Sequence, residues 1–445
     1  MAEIQKGKLS IGTKLGFGVC DVGGNLFFTV TGFWLVHYLT DVVGILPGLA
    51  GTIVLIVRLW DAITDPIMGI ISDKTRSPWG RRRPYLLFGS VPLFISMFVL
   101  YSSPGFTDQG KLFVWGILAF GLLSTAYTLV NIPYSSLTPE LTSDYQEKTS
   151  LNGFRMSFAV VGTLLAAGAA MPIVNLFDTK EAGFSAMGAV FGFIMMSAAL
   201  ITFFSVQEPE HEKRAETGLG LSAYKEILKN KAYFLILGPW ILNITGLTVV
   251  SGTLVYYYKY IFNREDLVTL SMMVLILTAL VCIPLWVKIS GRYGKKKSYI
   301  AGLVILAAAL FLTYFFGHTI GPNFMFGIMV FAGIGLSTGY VFPWSIVPDA
   351  IEFDARKTGV RKEGAYYGLW TFGSKVGQGL AGALIGGMLD ISGYIPGAVQ
   401  DEAARVAIRS LLGWIPAVVY LGAAVFLLFY PLTKEKYEKL FSNGT

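Results

Sequence analysis

Long apolar runs alternate with short polar segments along almost the whole chain. Most runs have about 20 residues, the length that an α-helix needs to cross the hydrocarbon core of a bilayer. The pattern therefore predicts an all-α integral membrane protein with twelve transmembrane helices. Their approximate limits are 17–40, 47–72, 85–102, 111–133, 151–174, 184–206, 233–262, 267–289, 298–317, 322–347, 364–390 and 409–431.

The composition supports a membrane protein. Of the 445 residues, 54% are hydrophobic and only 14% are charged, whereas a soluble domain has about 25% charged residues. The formal net charge is +7, but the basic residues gather in particular loops and indicate topology, so no nucleic-acid partner is expected. Cys20 and Cys282 both lie in apolar runs, which argues against a disulfide framework or a metal site.

The distribution of Lys and Arg among the loops predicts the orientation. The connections 72–84 and 288–297 are strongly basic, and both chain ends carry several lysines, whereas 41–46 and 318–322 have little basic charge. Cytoplasmic loops carry the excess of Lys and Arg. We therefore expect a multi-pass protein of the plasma or inner membrane with both termini in the cytoplasm. The first ten residues do not resemble a cleaved signal peptide.

The two basic loops follow the second and the eighth predicted helix. This weak symmetry has a period of six helices and is typical of transporters built from two six-helix halves. The predicted organisation is an N-terminal bundle at 1–206, a cytoplasmic linker at 207–231 and a C-terminal bundle at 232–445. A short surface helix is expected near Leu221–Leu228 in the linker.

The second apolar run contains Arg58, Asp61 and Asp65. A carboxylate near the centre of a membrane helix costs roughly 2.5–3.5 kcal/mol. Two carboxylates four residues apart share one helix face and repel each other. The pattern favours a cation between them, either Na⁺ or a shared proton. Thr64 and Thr128 are candidates to add hydroxyl oxygens, which suit a hard cation.

Other polar groups also fall inside apolar runs. Each has a structural alternative, because a charge can snorkel to the interface or form a structural ion pair. Pro66 likewise either kinks the helix or frees a backbone carbonyl near Ala62 as a further ligand. Lys375 is expected to balance the carboxylate pair when the cation is absent. The candidates for binding an organic substrate are Asp21, Tyr127, Asn131, Arg155, Tyr340, Thr371 and Lys375.

The chain lacks the usual signatures of an enzyme. Gly377–Gly382 matches G-x-G-x-x-G, but it lies inside an apolar run and does not follow a strand, so it favours close helix packing over a dinucleotide site. We find no nucleophile–base pair, nucleotide loop or metal-ligand spacing. A transporter that needs no cofactor beyond its coupling ion is expected. A non-transporting scaffold or sensor is the alternative, and the buried charges argue against it.

Several motifs match a known family. They are Trp60-Asp-Ala-Ile-Thr-Asp-Pro66, Tyr127-Thr128 with Ile132-Pro133, Arg155, Pro343-Trp344 with Pro348-Asp349, and Lys375. Through these motifs, and over nearly its whole length, the chain resembles the glycoside–pentoside–hexuronide:cation symporters of the major facilitator superfamily. The resemblance implies two six-helix pseudo-symmetric bundles and a small-molecule substrate. We also expect membrane lipids as neighbours and a monomeric state.

The resemblance implies roles for matched positions. Asp61 and Asp65 would be the cation-site carboxylates, with Thr128 beside them and Lys375 near both cation and sugar. Asp21 and Arg155 would bind sugar hydroxyls, and Tyr340 would lie near the sugar. The chain departs from the melibiose permease branch at three positions. That branch has aspartate where this chain has Asn131, tryptophan where it has Ser135, and lysine where it has Cys20.

A second branch, the vertebrate sodium-dependent lysophosphatidylcholine symporter, also resembles the chain at Trp60–Pro66, 132–138, 294–296 and 342–349. Asp21 favours a sugar over an acyl chain, because a carboxylate accepts hydrogen bonds from hydroxyl groups. In either branch the basic loops are expected to form cytoplasmic gate contacts. The candidate gating residues are Asp73, Arg81 and Asp349.

Overall fold

A computed structural model describes residues 9–142, 144–208, 227, 229–358 and 363–431. Within these ranges the backbone consists of helices and short connections, without strands. The chain divides into two compact units, Met1–Glu216 and Thr217–Thr445. Most of the predicted linker lies outside the described residues, and so does the surface helix expected near Leu221–Leu228 except for residue 227.

The first unit contains six long helices. Helix α1 has two segments, and a bend of 51° separates it from a short continuation at Leu35–Val42. The other five helices are uninterrupted. The bounds are α1 Ile11–Gly18 and Cys20–Phe33, α2 Pro47–Lys74, α3 Arg83–Leu100, α4 Gln109–Leu141, α5 Tyr145–Val174 and α6 Lys180–Ser205.

The second unit also contains six long helices. Helix α9 continues through a π-helical turn at Thr313–Gly317, and α12 is broken at Gly413. The bounds are α7 Lys231–Tyr260, α8 Val268–Tyr293, α9 Lys295–Leu312, α10 Pro322–Thr358, α11 Glu363–Ile391, and α12 Glu402–Leu412 and Trp414–Leu428.

The structure confirms the predicted fold class. Among the described residues, nine helices are long and apolar enough to cross a membrane, or ten when the bent α1 is counted. Helices α2 and α11 stand outside that set, although they have 28 and 29 residues. Both carry buried charges, which include Asp61 and Lys375. With these two, the number of spans is the predicted twelve.

Polar residues define where several of these helices begin. The side chains of Asp108, Asp144, Thr179 and Asn230 each accept a hydrogen bond from a backbone N–H in the first turn that follows. These N–H groups have no partner within the helix, so such caps stabilise the helix starts. Helices α4, α5, α6 and α7 therefore start at positions that the sequence itself marks.

Helices α1 and α5 pack at very short range. A Cβ atom added to Gly162 of α5 would lie 2.4 Å from the carbonyl oxygen of Val22 and 2.9 Å from its Cα atom. Near the start of both helices, Lys14 Nζ lies 2.9 Å from Glu147 Oε2. The Lys14 ammonium lowers the pKa of the Glu147 carboxyl group. The ion pair near the helix starts and the Gly162 contact further along together fix the register of α5 against α1.

Candidate functional site

The two carboxylates of α2 meet a single hydroxyl group of α4. Thr128 Oγ1 lies 3.0 Å from Asp61 Oδ1 and 2.9 Å from Asp65 Oδ1. All three side chains are buried. A threonine hydroxyl has one proton, so it can donate to only one of the two carboxylates at a time. The predicted residues Asp61, Asp65 and Thr128 therefore form one oxygen-rich cluster within the first unit.

Arg58 lies beside this cluster on the same helix. Its Nη1 atom is 3.6 Å from Asp61 Oδ2, and its Nη2 atom donates to Thr31 Oγ1 of α1 at 2.9 Å. The guanidinium carbon lies 5.4 Å and 5.2 Å from the ring centroids of Phe27 and Phe120. Arg58 is thus held between aromatic faces and a hydroxyl group, with its guanidinium beside Asp61.

Thr64 and Pro66 lie next to Asp65 on α2 and differ from the carboxylates in their contacts. The Thr64 hydroxyl donates to the backbone carbonyl of Asp61 at 3.3 Å, and the structure gives it no hydrogen bond to either carboxylate. Pro66 lies within α2, and the helix runs through it to Lys74. Because proline lacks an N–H, the carbonyl of Ala62 loses its usual helical partner. Its role as a cation ligand remains a prediction.

A second cluster surrounds Asp21. Arg155 of α5 donates from Nε to Asp21 Oδ2 at 2.7 Å and from Nη2 to Oδ1 at 3.2 Å. Tyr134 of α4 donates to Asp21 Oδ2 at 2.6 Å, and Arg155 Nη1 donates to Thr138 Oγ1 at 2.9 Å. Such a two-pronged arginine–carboxylate pair holds both groups in a defined geometry. The structure brings together Asp21 and Arg155, which the sequence predicted as substrate-binding residues.

Tyr127 and Asn131 lie one turn apart on α4 and approach Gly24 of α1. A Cβ atom on Gly24 would lie 3.4 Å from the Tyr127 hydroxyl and 4.0 Å from Asn131 Oδ1. The Tyr127 ring stacks on Phe27, with centroids 4.1 Å apart. Gly24 leaves space at this point, so both predicted substrate-binding residues border the same small gap between α1 and α4.

Helices α1 and α4 each contribute to both clusters. Helix α1 supplies Asp21 to one and Thr31, the partner of Arg58, to the other. Helix α4 supplies Thr128 to the carboxylate pair and Tyr134 to Asp21. A displacement of either helix therefore acts on both clusters.

The remaining predicted binding residues belong to the second unit. Lys375 of α11 is buried, with 4% of its surface exposed, whereas Tyr340 of α10 is 42% exposed. The Thr371 hydroxyl donates to the carbonyl of Tyr367. Near them, Trp240 and Trp370 stack with centroids 4.6 Å apart. Lys375, Thr371 and Tyr340 thus all belong to α10 and α11 of the second unit.

The basic loops are held by carboxylates. In the first unit, Asp73 Oδ1 lies 2.6 Å from Arg82 Nη2, and Arg81 Nη2 donates to Glu140 Oε1 at 2.7 Å. Glu208 Oε2 accepts from the backbone N–H of Arg82 at 2.9 Å. In the second unit, Asp349 Oδ2 lies 2.7 Å from Lys295 Nζ. The predicted gating residues Asp73, Arg81 and Asp349 are thus all in ion pairs within their own units.

Several of these residues were not predicted from the sequence. Tyr134 and Thr138 are uncharged, so nothing in an apolar run marks them. Their spacing of four residues, in register with Tyr127 and Asn131, is the signal that could have found them, since it places all four along one side of α4. Glu140 and Glu208 lie at helix ends, where carboxylates are common and carry little information.

Comparisons with known proteins agree with this architecture. Residues 16–434 match a family model described as "MFS/sugar transport protein". The chain is 30% identical over 431 residues to the inner membrane symporter YicJ of Escherichia coli (strain K12), which covers 96% of this chain and 93% of that protein. It is 29% identical over 441 residues to a glucuronide carrier protein homolog of the same organism, which covers 97% and 95%.

Solved structures share the fold. The crystal structure of the nucleoside transporter NupG superposes with a TM-score of 0.64 at 16% identity, covering 94% of this chain and 98% of that one. At this identity the likeness concerns the fold alone.

Proposed function

The chain belongs to the MFS/sugar transport protein family, and from that premise we propose that it is a cation-coupled symporter for a sugar or glycoside. Its family and fold make it a multi-pass membrane transporter and not an enzyme. The proposal concerns the coupling ion and the class of the transported substrate.

The observation that carries the proposal is the Asp61–Thr128–Asp65 cluster. Two buried carboxylates lie 3.0 and 2.9 Å from the same hydroxyl group, which has one proton to donate. A monovalent cation would relieve the repulsion between the carboxylates and gain oxygen ligands. Na⁺ and a proton both satisfy this chemistry, so the proposal covers either ion.

The Asp21 cluster supports a substrate that bears hydroxyl groups. Its carboxylate, guanidinium and hydroxyls can donate and accept hydrogen bonds over a short distance. Tyr127 and Asn131 add two polar groups beside Gly24. The relative named as a glucuronide carrier homolog is in accord with a sugar cargo. A lysophospholipid would need a long apolar surface instead, and it enters the experiment below as a competing cargo.

The proposed mechanism is alternating access, in which two six-helix halves rock about a central site. The cation at Asp61 and Asp65 raises the affinity for the organic substrate, and by linkage the substrate raises the affinity for the cation equally. Helices α1 and α4 contribute to both clusters. A ligand that binds at one cluster can therefore change the affinity of the other through these two helices. The loop ion pairs of Asp73, Arg81 and Asp349 would serve as cytoplasmic gate contacts.

The test is uptake by proteoliposomes with an imposed Na⁺ or pH gradient. Asp61→Asn and Asp65→Asn should reduce gradient-driven accumulation to background, at least about a hundredfold, because each removes a full charge from the cation site. Exchange of substrate across the membrane without a gradient should survive. If both variants still accumulated a sugar against its gradient, the coupling role would be wrong. Accumulation of a lysolipid by the unaltered protein would replace the proposed cargo.

A further inference from the structure

One face of α8 is exposed and changes from apolar to basic toward the end of the helix. Leu277, Val281 and Leu285 expose 43%, 76% and 53% of their surface. Lys288 and Arg292 continue the series and are exposed as well. These five residues recur at intervals of three or four, so they form one stripe along the helix, which we call the α8 stripe.

The opposite face of α8 packs inside the second unit. Met272, Leu275, Ala279 and Trp286 are buried there. The Trp286 indole N–H donates to the carbonyl of Ile334 on α10 at 2.8 Å. These contacts fix the rotation of α8 about its own axis, so the α8 stripe stays on the surface of the second unit.

The two cations of the α8 stripe are not paired with carboxylates. Lys288 and Arg292 form no salt bridge with any residue that the structure describes, and the connection 288–297 contains no Asp or Glu. Lys295 is different, because its Nζ atom lies 2.7 Å from Asp349 Oδ2. Two positive charges are therefore available at the end of an apolar stripe.

A phospholipid has the same order of groups. Its acyl chains are apolar, and its phosphate is an anion that Lys and Arg side chains bind with charge-assisted hydrogen bonds. Lys288 and Arg292 are one helical turn apart, with roughly 5–6 Å between their Cβ atoms, so both can reach one headgroup. Tyr293 is also exposed, and the Arg292 guanidinium carbon lies 5.6 Å from its ring centroid. Tyrosine is enriched at the level of lipid headgroups, which fits this end of α8.

From this arrangement we propose that the α8 stripe binds an anionic phospholipid such as phosphatidylglycerol. Its acyl chain would lie along Leu277, Val281 and Leu285, and its headgroup would contact Lys288 and Arg292. A zwitterionic phospholipid carries an ammonium group that offsets its phosphate, so two cations favour a lipid with a net negative charge. The proposal goes beyond sugar symport and is decided by lipid binding, whatever the transported substrate.

The end of α2 offers a control within the same chain. Ile63, Ile67 and Ile70 are exposed and lead to the exposed Lys74 at the same helical spacing. This stripe ends in one cation, and the residue beside it is the acidic Asp73. We therefore expect little preference for an anionic lipid at α2.

The experiment titrates the purified full chain in detergent with two phospholipids and measures bound lipid by native mass spectrometry. The lipids are palmitoyl-oleoyl phosphatidylglycerol and the phosphatidylcholine with the same acyl chains, added separately. Phosphatidylglycerol should bind at least about tenfold more tightly, because each Lys or Arg near an anionic lipid raises the affinity several-fold. Glycerol phosphate in excess should not displace it, since that molecule lacks acyl chains.

Variants assign the preference to the α8 stripe. Lys288→Gln with Arg292→Gln should lower the affinity for phosphatidylglycerol about tenfold and leave that for phosphatidylcholine within about twofold. Lys74→Gln with Arg76→Gln removes the same total charge near α2 and should keep the preference. Lys288→Arg with Arg292→Lys keeps both charges and should also keep it. Every variant must elute as monodisperse protein in detergent.

Photocrosslinking locates the lipid on the unaltered protein, so the test does not depend on the folding of a variant. Phosphatidylglycerol with a diazirine next to its headgroup should label the segment 281–293 more strongly than the matching phosphatidylcholine does. Peptide mass spectrometry after digestion gives the two labelling yields.

Each outcome bears on the lipid site. Equal affinities for the two lipids, equal labelling of 281–293, or displacement by glycerol phosphate would overturn the proposal. A preference that survives in Lys288→Gln with Arg292→Gln, or that falls as far in Lys74→Gln with Arg76→Gln, would also overturn it. None of these results would change the case for cation-coupled sugar transport.

Discussion

The two clusters of the first unit use similar residues in opposite ways. Around Asp21, a carboxylate faces a guanidinium that donates two hydrogen bonds to it, so charge and hydrogen bonds are already matched. Around Asp61 and Asp65, two carboxylates share one hydroxyl group, and Arg58 Nη1 lies 3.6 Å from Asp61 Oδ2. One cluster pairs opposite charges, and the other brings two like charges together.

This difference indicates how each cluster can respond to a ligand. A pair of buried carboxylates gains by taking up a cation directly, because the cation relieves the repulsion between them. A matched cluster gains only if a ligand offers hydrogen bonds at least as good as those it displaces. The Asp61–Asp65 pair is therefore suited to an ion of fixed charge. The Asp21 cluster is suited to an organic molecule with several polar groups. Substitutions can test whether the two responses are separable.

The largest effect is expected at the matched cluster. Asp21→Asn leaves the Arg155 guanidinium buried without its carboxylate, a loss that typically costs 3–5 kcal/mol. We expect substrate affinity to fall by at least about a hundredfold, while Na⁺ or proton binding changes little. Calorimetry of cation binding and of substrate binding on the same preparation separates the two. Equal losses of both affinities would show that the clusters act as one site.

A smaller effect is expected at the hydroxyl that joins the two carboxylates. Thr128→Val removes the hydroxyl and keeps the shape, and it should weaken cation binding by about tenfold, near the value of one buried hydrogen bond. Thr128→Ser is the matched control because it keeps the hydroxyl group, and its cation affinity should stay within about twofold of the unaltered value. A serine variant as weak as the valine variant would assign the effect to packing by the methyl group.

The smallest effect on binding is expected at the loop. Asp73→Ala removes one contact of Arg82, which also lies 2.7 Å from Glu140 Oε1. We expect the transport rate to change by a few-fold and the substrate affinity to stay the same, because partly exposed ion pairs contribute about 1 kcal/mol or less. Initial rates over a range of substrate concentrations give both quantities. Unchanged kinetics would reject a gating role for Asp73.

Much of the architecture could be predicted from the sequence, because a bilayer restricts the type and the length of the elements that can cross it. Apolar run lengths gave the number of helices, and the structure confirms an all-α fold with twelve spans. The spacing of Asp61 and Asp65 predicted one shared helix face, and both carboxylates do meet Thr128. These predictions rest on periodicity within a helix, which the sequence displays directly.

The parts that the sequence could not supply depend on contacts between distant segments. Tyr134 donates to Asp21 across 113 positions, and Glu208 binds a backbone N–H that lies 126 positions away. Neither residue type is unusual where it occurs, so the chain alone does not mark them. Thr64 was predicted as a source of a ligand oxygen. Its hydroxyl donates to the carbonyl of Asp61 on its own helix, and its role at a cation site stays a prediction.

Gly162 has a consequence for how this chain can vary. A single methyl group there would collide with the backbone of Val22, next to Asp21. The contact also sets the position of α5, the helix that presents Arg155. Gly162 has no side chain that could bind a ligand. Random mutagenesis scored by uptake should nevertheless return almost no active variants with alanine at this position. A screen of that kind would rank a glycine without function alongside the charged residues that it aligns.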